Sequence, residues 1–399
     1  MALEKTWRWF GPNDTVTLEN LKQMGVEGIV TALHSLQPGE VWPVEKIREI
    51  KDMIEKHGMR WSVVESLPVS EGIKIHSADY DRLIDNYKQS LRNLGECGID
   101  TVCYNFMPVL DWARTNLHYK NENGGEAMLF DYPTFAAFDI YTLKRPNAEN
   151  DYDEDIRKKA KEIDASLSDE QREELAYNTI IATQAFVNGA MDGNAPDYKK
   201  MFLDYLGTYK DIGRDKLREH LSAFLNDVIP TAEECGINMC IHPDDPPFPL
   251  LGLPRIASTI EDFLWIIDQH KSVSNGITFC TGSTSARCDN DIPEMAKKLA
   301  ERIHFIHLRN TKTIEGRSFY ESDHLAGNVD MFSVIKVLIE EQKRRKKEGR
   351  KDIRMPFRPD HGVRILGDFE RKANPGYPLY GRMKGLAEMD GMQRAIERM

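Results

Sequence analysis

The stretch IRMPFRPDHG, residues 353–362, decides the fold. It opens on an apolar run, Ile353 to Phe357, that reads as a short strand. Pro359 ends that strand, because proline has no N–H to give to a ladder. Asp360, His361 and Gly362 follow at once. A carboxylate just past the carboxyl end of a strand is where α/β barrels carry their chemistry. Taken alone, the same residues read as an ordinary turn with a loop histidine. Three other strands that end in metal-ligand residue types change the balance.

Seven strand candidates precede this one, at 6–10, 28–33, 61–64, 101–105, 236–242, 276–280 and 303–308. Helical stripes lie between them. Val44, Ile47, Ile50 and Ile54 form one, and Leu217, Leu221, Phe224, Leu225 and Val228 another. Pro43 and Pro293 stand at helix openings, and Ser258-Thr259-Ile260-Glu261 reads as a capping box. A last helix falls within 385–398. Eight short strands alternating with helices predict parallel pairing through right-handed crossovers. The expected fold is an α/β closed (β/α)8 TIM barrel, residues 1–399 forming one domain. An open doubly wound sheet would favour a glycine-rich phosphate loop after the first strand, and Gly11-Pro12-Asn13 is not one.

The alternation breaks at about 106–205. This stretch is expected to be a mainly helical insertion after strand four, covering the barrel mouth, with a separate small domain as the alternative. Residues 147–164 are strongly charged and read as loop or surface helix. Ser168-Asp169-Glu170-Gln171 starts another helix.

The formal net charge is −11, against a nucleic-acid partner, whose phosphates need clustered Lys and Arg. The basic run 343–347 reads as the solvated end of a helix, where cations suit the dipole. No apolar run approaches a membrane span, and the first residues lack a signal-peptide pattern. The cysteines at 97, 103, 235, 240, 280 and 288 contain no C-x-x-C and make no disulfide framework, so a reducing cytoplasm is the expected home. A homo-oligomer is left open.

Strand five ends at His242, strand six at Cys280 and strand seven at His307, and strand eight reaches Asp360. Cys280 alone reads as a small buried hydrophobe, and His242 before Pro243 as a turn cap. Four metal-ligand types at matched positions on one rim read instead as one site. Side chains alternate along a strand, so Cys240/His242, Thr278/Cys280 and Phe305/His307 should all face the barrel interior. His304 should face the helices. Two imidazoles, a thiolate and a carboxylate suit a closed zinc site, or Fe(II) or Mn(II) with positions open to substrate. Near the same strand ends lie Arg8, Glu65, Ser66, Asn105, Asp111, Arg114, Arg309, Asn310, His324 and Arg364. Of these, Arg8, Asn105, Asp111, Arg114, Arg309, Asn310 and His324 are the substrate-binding candidates for a hydroxylated acid.

The chain resembles the mannonate dehydratase family. RWFG (8–11), GIVTALH (28–34), WSVVES (61–66), NYKQSLRNLGECGI (86–99), CYNFMPVLDWARTNLH (103–118), IHPDDPP (241–247), GLPRI (252–256), ITFCTGS (277–283), FIHLRN (305–310), HLAGNVDM (324–331), RPDHG (358–362) and GYPLYGR (376–382) carry the resemblance. The least distinctive portion is about 121–206. The resemblance implies a dehydratase of the xylose-isomerase-like barrels. Such an enzyme converts D-mannonate to 2-dehydro-3-deoxy-D-gluconate and water in hexuronate (glucuronate) catabolism, with Mn(II) or Fe(II). It implies ligands at His242, Cys280, His307 and Asp360, and a catalytic pair at His361 and Tyr377. Tyr377 is the expected base, its phenol lowered by the nearby cation, and His361 the expected acid. A metal-dependent aldose–ketose isomerase on the same barrel is the rival, although such sites usually hold metal with carboxylates.

Overall fold

A computed structural model describes residues 2–184, 195 and 197–399. Residues 185–194 and 196, within the expected insertion, lie outside the described residues. The strands in chain order are β1 (Glu4–Arg8), β2 (Gly28–Thr31), β3 (Arg60–Glu65), β4 (Thr101–Tyr104), β5 (Asn116–Lys120), β6 (Glu126–Phe130), β7 (Asn238–Ile241), β8 (Asn275–Cys280), β9 (Ile303–Leu308), β10 (Thr311–Glu315), β11 (Ser318–Glu321) and β12 (Pro356–Pro359).

Eight of them close a parallel barrel in the order β1-β12-β9-β8-β7-β4-β3-β2. This is the expected (β/α)8 architecture. Most barrel strands are buried on both faces, which requires apolar residues at successive positions. Two layers result. Val30, Val63, Cys103, Cys240 and Phe305 pack together inside the barrel. Their neighbours Ile29, Val64, Val102, Ile241 and Ile306 point outward into the larger core under the helices. Thr278 joins the inner set, its hydroxyl donating to Cys103 Sγ at 3.2 Å. His304 faces the other way, its Nε2 donating to Val273 O at 2.7 Å. The period-two register expected of these strands therefore holds.

Helices begin at side-chain caps. Thr17 pairs reciprocally with Asn20 and Ser168 with Gln171, while Asp153, Asp291 and Asp330 each accept from a backbone N–H three residues on. The box expected at Ser258/Glu261 sits one residue later, on Thr259 and Asp262. The last barrel strand also begins three residues later than expected. Prolines form its two ends, so only Phe357 and Arg358 must supply ladder N–H groups. Residues 343–347 are not all solvated. Arg345 is buried, donating to Ala300 O at 2.7 Å and Ile303 O at 2.9 Å.

The inserted stretch is mainly helical, as expected, with helices at Tyr132–Ala137, Glu154–Ser166, Asp169–Tyr177 and Tyr198–Gly207. It also contains the hairpin β5–β6, which sequence periodicity did not indicate. The segment after Leu308 forms a second hairpin, β10–β11. The two hairpins join in an antiparallel sheet of order β10-β11-β6-β5, with Phe319 paired to Phe130. No helix among the described residues is long and apolar enough to cross a membrane.

Close packing of His304 against β8 depends on Gly276. A methyl group there would lie 2.1 Å from His304 Cδ2 and 2.7 Å from Arg302 O. Gly276→Ala is expected to destabilise the barrel by about 1–3 kcal/mol, read as a lower thermal midpoint. Gly391→Ala, in the last helix (Leu379–Ile396) with nothing within 4 Å of the new atom, should raise the midpoint slightly.

Candidate active site

The carboxyl ends of β7, β8, β9 and β12 bring four donors together. One ligand atom each from His242, Cys280 and His307 lies within 4.8 Å of the others. Asp360 Oδ2 is 3.8 Å from Cys280 Sγ and 3.7 Å from His307 Nδ1. β8 and β9 pair Cys280 with His307, and β12 and β9 pair Arg358 with His307, so the strand ends set these distances.

The imidazole tautomers follow from their outer partners. His242 Nδ1 lies 2.7 Å from Pro243 O, which only accepts, so Nδ1 carries the proton and Nε2 is bare. His307 Nε2 lies 3.3 Å from the Glu65 carboxylate, which favours the proton there and leaves Nδ1 bare. The two bare nitrogens face each other at 3.1 Å. Two lone pairs held that close need a positive centre between them. The Cys280 sulfur accepts from Ser283 N at 3.4 Å and Ser283 Oγ at 3.1 Å, which suits a ligating sulfur. The donor set therefore fits a divalent cation.

Charges around these donors are paired. Arg358 donates to both oxygens of Glu65 and to Asp360 Oδ1. Burial alone would raise both carboxyls. For Asp360, Arg358, His361, His307 and Arg309 outweigh it, and for Glu65, Arg358, His307 and Arg8 do so. Both are held well below the usual carboxylate range. Behind them Arg114 and Arg309 form a closed ring with Asp245 and Glu321. Arg114 lies 2.9 Å from Asp245 and 2.6 Å from Glu321, and Arg309 lies 2.7 Å from each. Glu321 also accepts from His361 Nδ1 at 3.3 Å, which leaves His361 Nε2 to give or take a proton.

His361 and Tyr377 line one wall of the cleft, their rings edge-on at 5.2 Å. Burial pushes the Tyr377 phenol up to about 12, against the pull of Arg358. Arg358 and Arg8 pull it down without offsetting burial, so the net lowering expected from the sequence does not come from these two.

The D-mannonate dehydratase (UxuA) family model matches residues 3–399. The chain belongs to the mannonate dehydratase family. It is 48% identical over 397 residues to the mannonate dehydratase of Marinomonas sp. (strain MWYL1), covering 99% of each chain. It is 49% identical over 399 residues to that of Chromohalobacter salexigens, covering 100% of each. The crystal structure of mannonate dehydratase from Streptococcus suis serotype 2 is 33% identical, with a TM-score of 0.77 over 100% of this chain and 94% of that one. A D-tagatose 3-epimerase-like protein, 10% identical with a TM-score of 0.51, shares the fold alone.

In this member of the family, Arg8, Asn105, Asp111 and Arg309 line the cleft with His242, Asp360, His361 and Tyr377. Arg114, Asn310 and His324 do not. Arg114 is fully buried in the charge ring, and its burial follows from having two carboxylate partners. Asn310 braces the following loop, donating to His324 O and Val329 O and accepting from Val329 N. His324 is buried beside the last helix, where burial pushes it down to about 4. The sequence-based set omitted Arg358, Asp245, Trp112 and Glu321. Arg358 could have been found, since it shares a strand face with Asp360 two residues on. Asp245 lies in IHPDDPP and Trp112 in the quoted stretch after β4. Nothing local marks Glu321.

Burial would raise the Glu321 carboxyl, but Arg309 and Arg114 outweigh it and hold it at about 2, below its ordinary 4.5. A depressed carboxyl stabilises the fold above its unfolded pKa and loses that contribution as pH falls through its folded one. Glu321→Gln should therefore lower the thermal midpoint at pH 7, by about 3–5 kcal/mol for a broken buried pair. The deficit against the parent should shrink as both are titrated from about pH 5 towards pH 2. A deficit that stays constant across that range would show that the charge of Glu321 is not what stabilises.

Proposed function

We propose that this chain catalyses the dehydration of D-mannonate to 2-dehydro-3-deoxy-D-gluconate and water, as a hydro-lyase of hexuronate breakdown. Membership of the family along the whole chain carries this conclusion. It displaces the aldose–ketose isomerase alternative. The six cysteines are all free, which fits action in a reducing cytoplasm.

His242 Nε2, Cys280 Sγ, His307 Nδ1 and Asp360 would hold one divalent ion, for which Mn(II) or Fe(II) suits the mixed nitrogen, sulfur and oxygen donors. Such an ion, when bound, supplies positive charge that offsets the second negative charge built on the substrate carboxylate as the C2 proton leaves. Arg8 fits the substrate's anionic or hydroxyl groups. It lines the cleft, is buried, and its Nε has no partner. Asn105 and Asp111, which also line the cleft, fit hydroxyls. Burial raises the Asp111 carboxyl above its ordinary value.

The proton transfers fall to the two rim residues. The phenolate oxygen of Tyr377 takes the C2 proton, and the C–H electron pair becomes the C2=C3 bond. The C3–O pair leaves with the oxygen, which takes a proton from His361 Nε2 and departs as water. The enol so formed ketonises to the 2-keto acid. Glu321, holding His361 Nδ1–H, keeps Nε2 aimed at the cleft.

Chelation should abolish turnover and lower the thermal midpoint only by the ion's own binding contribution, the protein staying folded, because the barrel core is built from apolar side chains away from the site. Cys280→Ser should weaken metal affinity, read by calorimetric titration with Mn(II), more than it lowers the midpoint. Full turnover by the chelated enzyme would exclude a catalytic metal. The acid and base separate in a partial reaction. Tyr377→Phe should lose exchange of the substrate C2 hydrogen with deuterated solvent, while His361→Asn should keep exchange and lose dehydration. Exchange surviving in the first and vanishing in the second would reverse the two roles.

A further inference from the structure

Arg382, on the last helix, is 1% exposed and makes no ion pair among the described residues. One terminal nitrogen has no hydrogen-bond partner. Its guanidinium lies between two rings, 3.9 Å from the Trp7 centroid and 4.9 Å from the Tyr377 centroid. Its Nε donates to Pro359 O at 3.1 Å and Asp360 O at 3.0 Å, the carbonyls at the end of β12. Gly362 lets it approach, since a methyl group there would lie 2.9 Å from Arg382 Cγ.

An unpaired buried cation is costly, and a fold keeps one where something else is gained. Asp360 and Asp14 attract the Arg382 guanidinium only from beyond ion-pair reach. The nearby His324 is pushed down to about 4 by burial and offers no negative charge. Arg358 also faces the Tyr377 ring, at 5.8 Å, but Glu65 and Asp360 already neutralise it. A phenolate spreads negative charge into its ring. A cation over the ring face therefore favours phenolate over phenol more than a neutral neighbour could.

We propose that Arg382 is a positioning residue for the dehydration: its uncompensated cation makes the Tyr377 phenolate available to take the C2 proton, and its Nε fixes the strand end that presents Asp360. This rests on the base role given to Tyr377.

The test uses the full-length, Mn(II)-loaded enzyme with D-mannonate. Arg382→Met should lower kcat by about 30-fold, the loss of a desolvated cation–ring interaction, with KM nearly unchanged. Its thermal midpoint should change little, because removing an unpaired buried charge offsets the two hydrogen bonds lost with Nε. Arg382→Lys, keeping the charge but not the fork, should recover part of kcat. A purely structural arginine predicts the opposite pattern. A lowered midpoint in Arg382→Met with kcat per folded enzyme intact overturns the proposal, and so does wild-type kcat in both variants. Should the Met variant not fold, the neutral, polar Arg382→Gln takes its place: wild-type kcat in it overturns the proposal, and a reduced kcat at an unchanged midpoint supports it. Tyr377→Phe separates the two layers. If it retains dehydration, the base assignment falls and the role of Arg382 with it. If it is inactive while Arg382→Met keeps full kcat, only the role of Arg382 falls.

Discussion

Two buried arginines and two buried carboxylates close on one another at the barrel rim, and the site is assembled around that ring. Arg114 reaches Asp245 and Glu321, and Arg309 reaches the same two acids. Each ion pays several kcal/mol to leave water, and only near-complete pairing offsets that. The ring supplies such pairing with alternating charge. Its four members come from the loop after β4, the loop after β7, the end of β9 and the tip of β11. Pairing them draws the small antiparallel sheet onto the barrel. It also aims Arg309 at the donors, 3.6 Å from Asp360 and 4.0 Å from Cys280 Sγ. Glu321 Oε1 also lies 3.3 Å from His361 Nδ1, which ties that ring to the charge ring.

Inside this frame the donors are set against each other. His242 Nε2 and His307 Nδ1 present lone pairs at 3.1 Å, and outer carbonyl and carboxylate partners hold their protons away. Asp360 and Glu65 stay charged nearby. The protein holds electron-rich groups together and leaves the positive partner to be supplied. Arg8 Nε, His324 Nε2 and one nitrogen of Arg382 are buried without hydrogen-bond partners around the same rim. Such atoms cost stability where they stand, which is the usual mark of a region shaped for binding rather than for folding.

The inserted segments contribute by contact with this rim. Gln184 accepts from Asp111 N–H at 2.8 Å and donates to Trp112 O, so one carboxamide grips both neighbours of the Asp111–Trp112 peptide. Trp112 in turn lies 5.2 Å from the His361 ring. The hairpin β10–β11 delivers Glu321, and β5–β6 supports that hairpin through Phe130 against Phe319, 5.6 Å apart. The decoration on the barrel is thus mechanically part of the cleft.

What the sequence determined by itself was whatever repeats with a short period. Alternation along β7, β8 and β9 was enough to place Cys240, His242, Thr278, Cys280, Phe305 and His307 on the inner face and His304 on the outer one, because a strand has only two faces. Strand ends followed from turn and proline chemistry, which is also local, and they brought His242, Cys280, His307 and Asp360 to one rim. The start of β12 was missed by three residues because apolar character begins before the pairing does. Only the tertiary structure decided which polar residues face substrate and which face each other. Arg114 and Arg309 are both cations in loops that follow barrel strands, yet one is sealed in the ring and the other edges the cleft. Glu321 and Arg382 carry no local signal at all. Their partners lie far away along the chain, and the energy of a buried charge depends on every charge around it, so no window of neighbouring residues contains the answer.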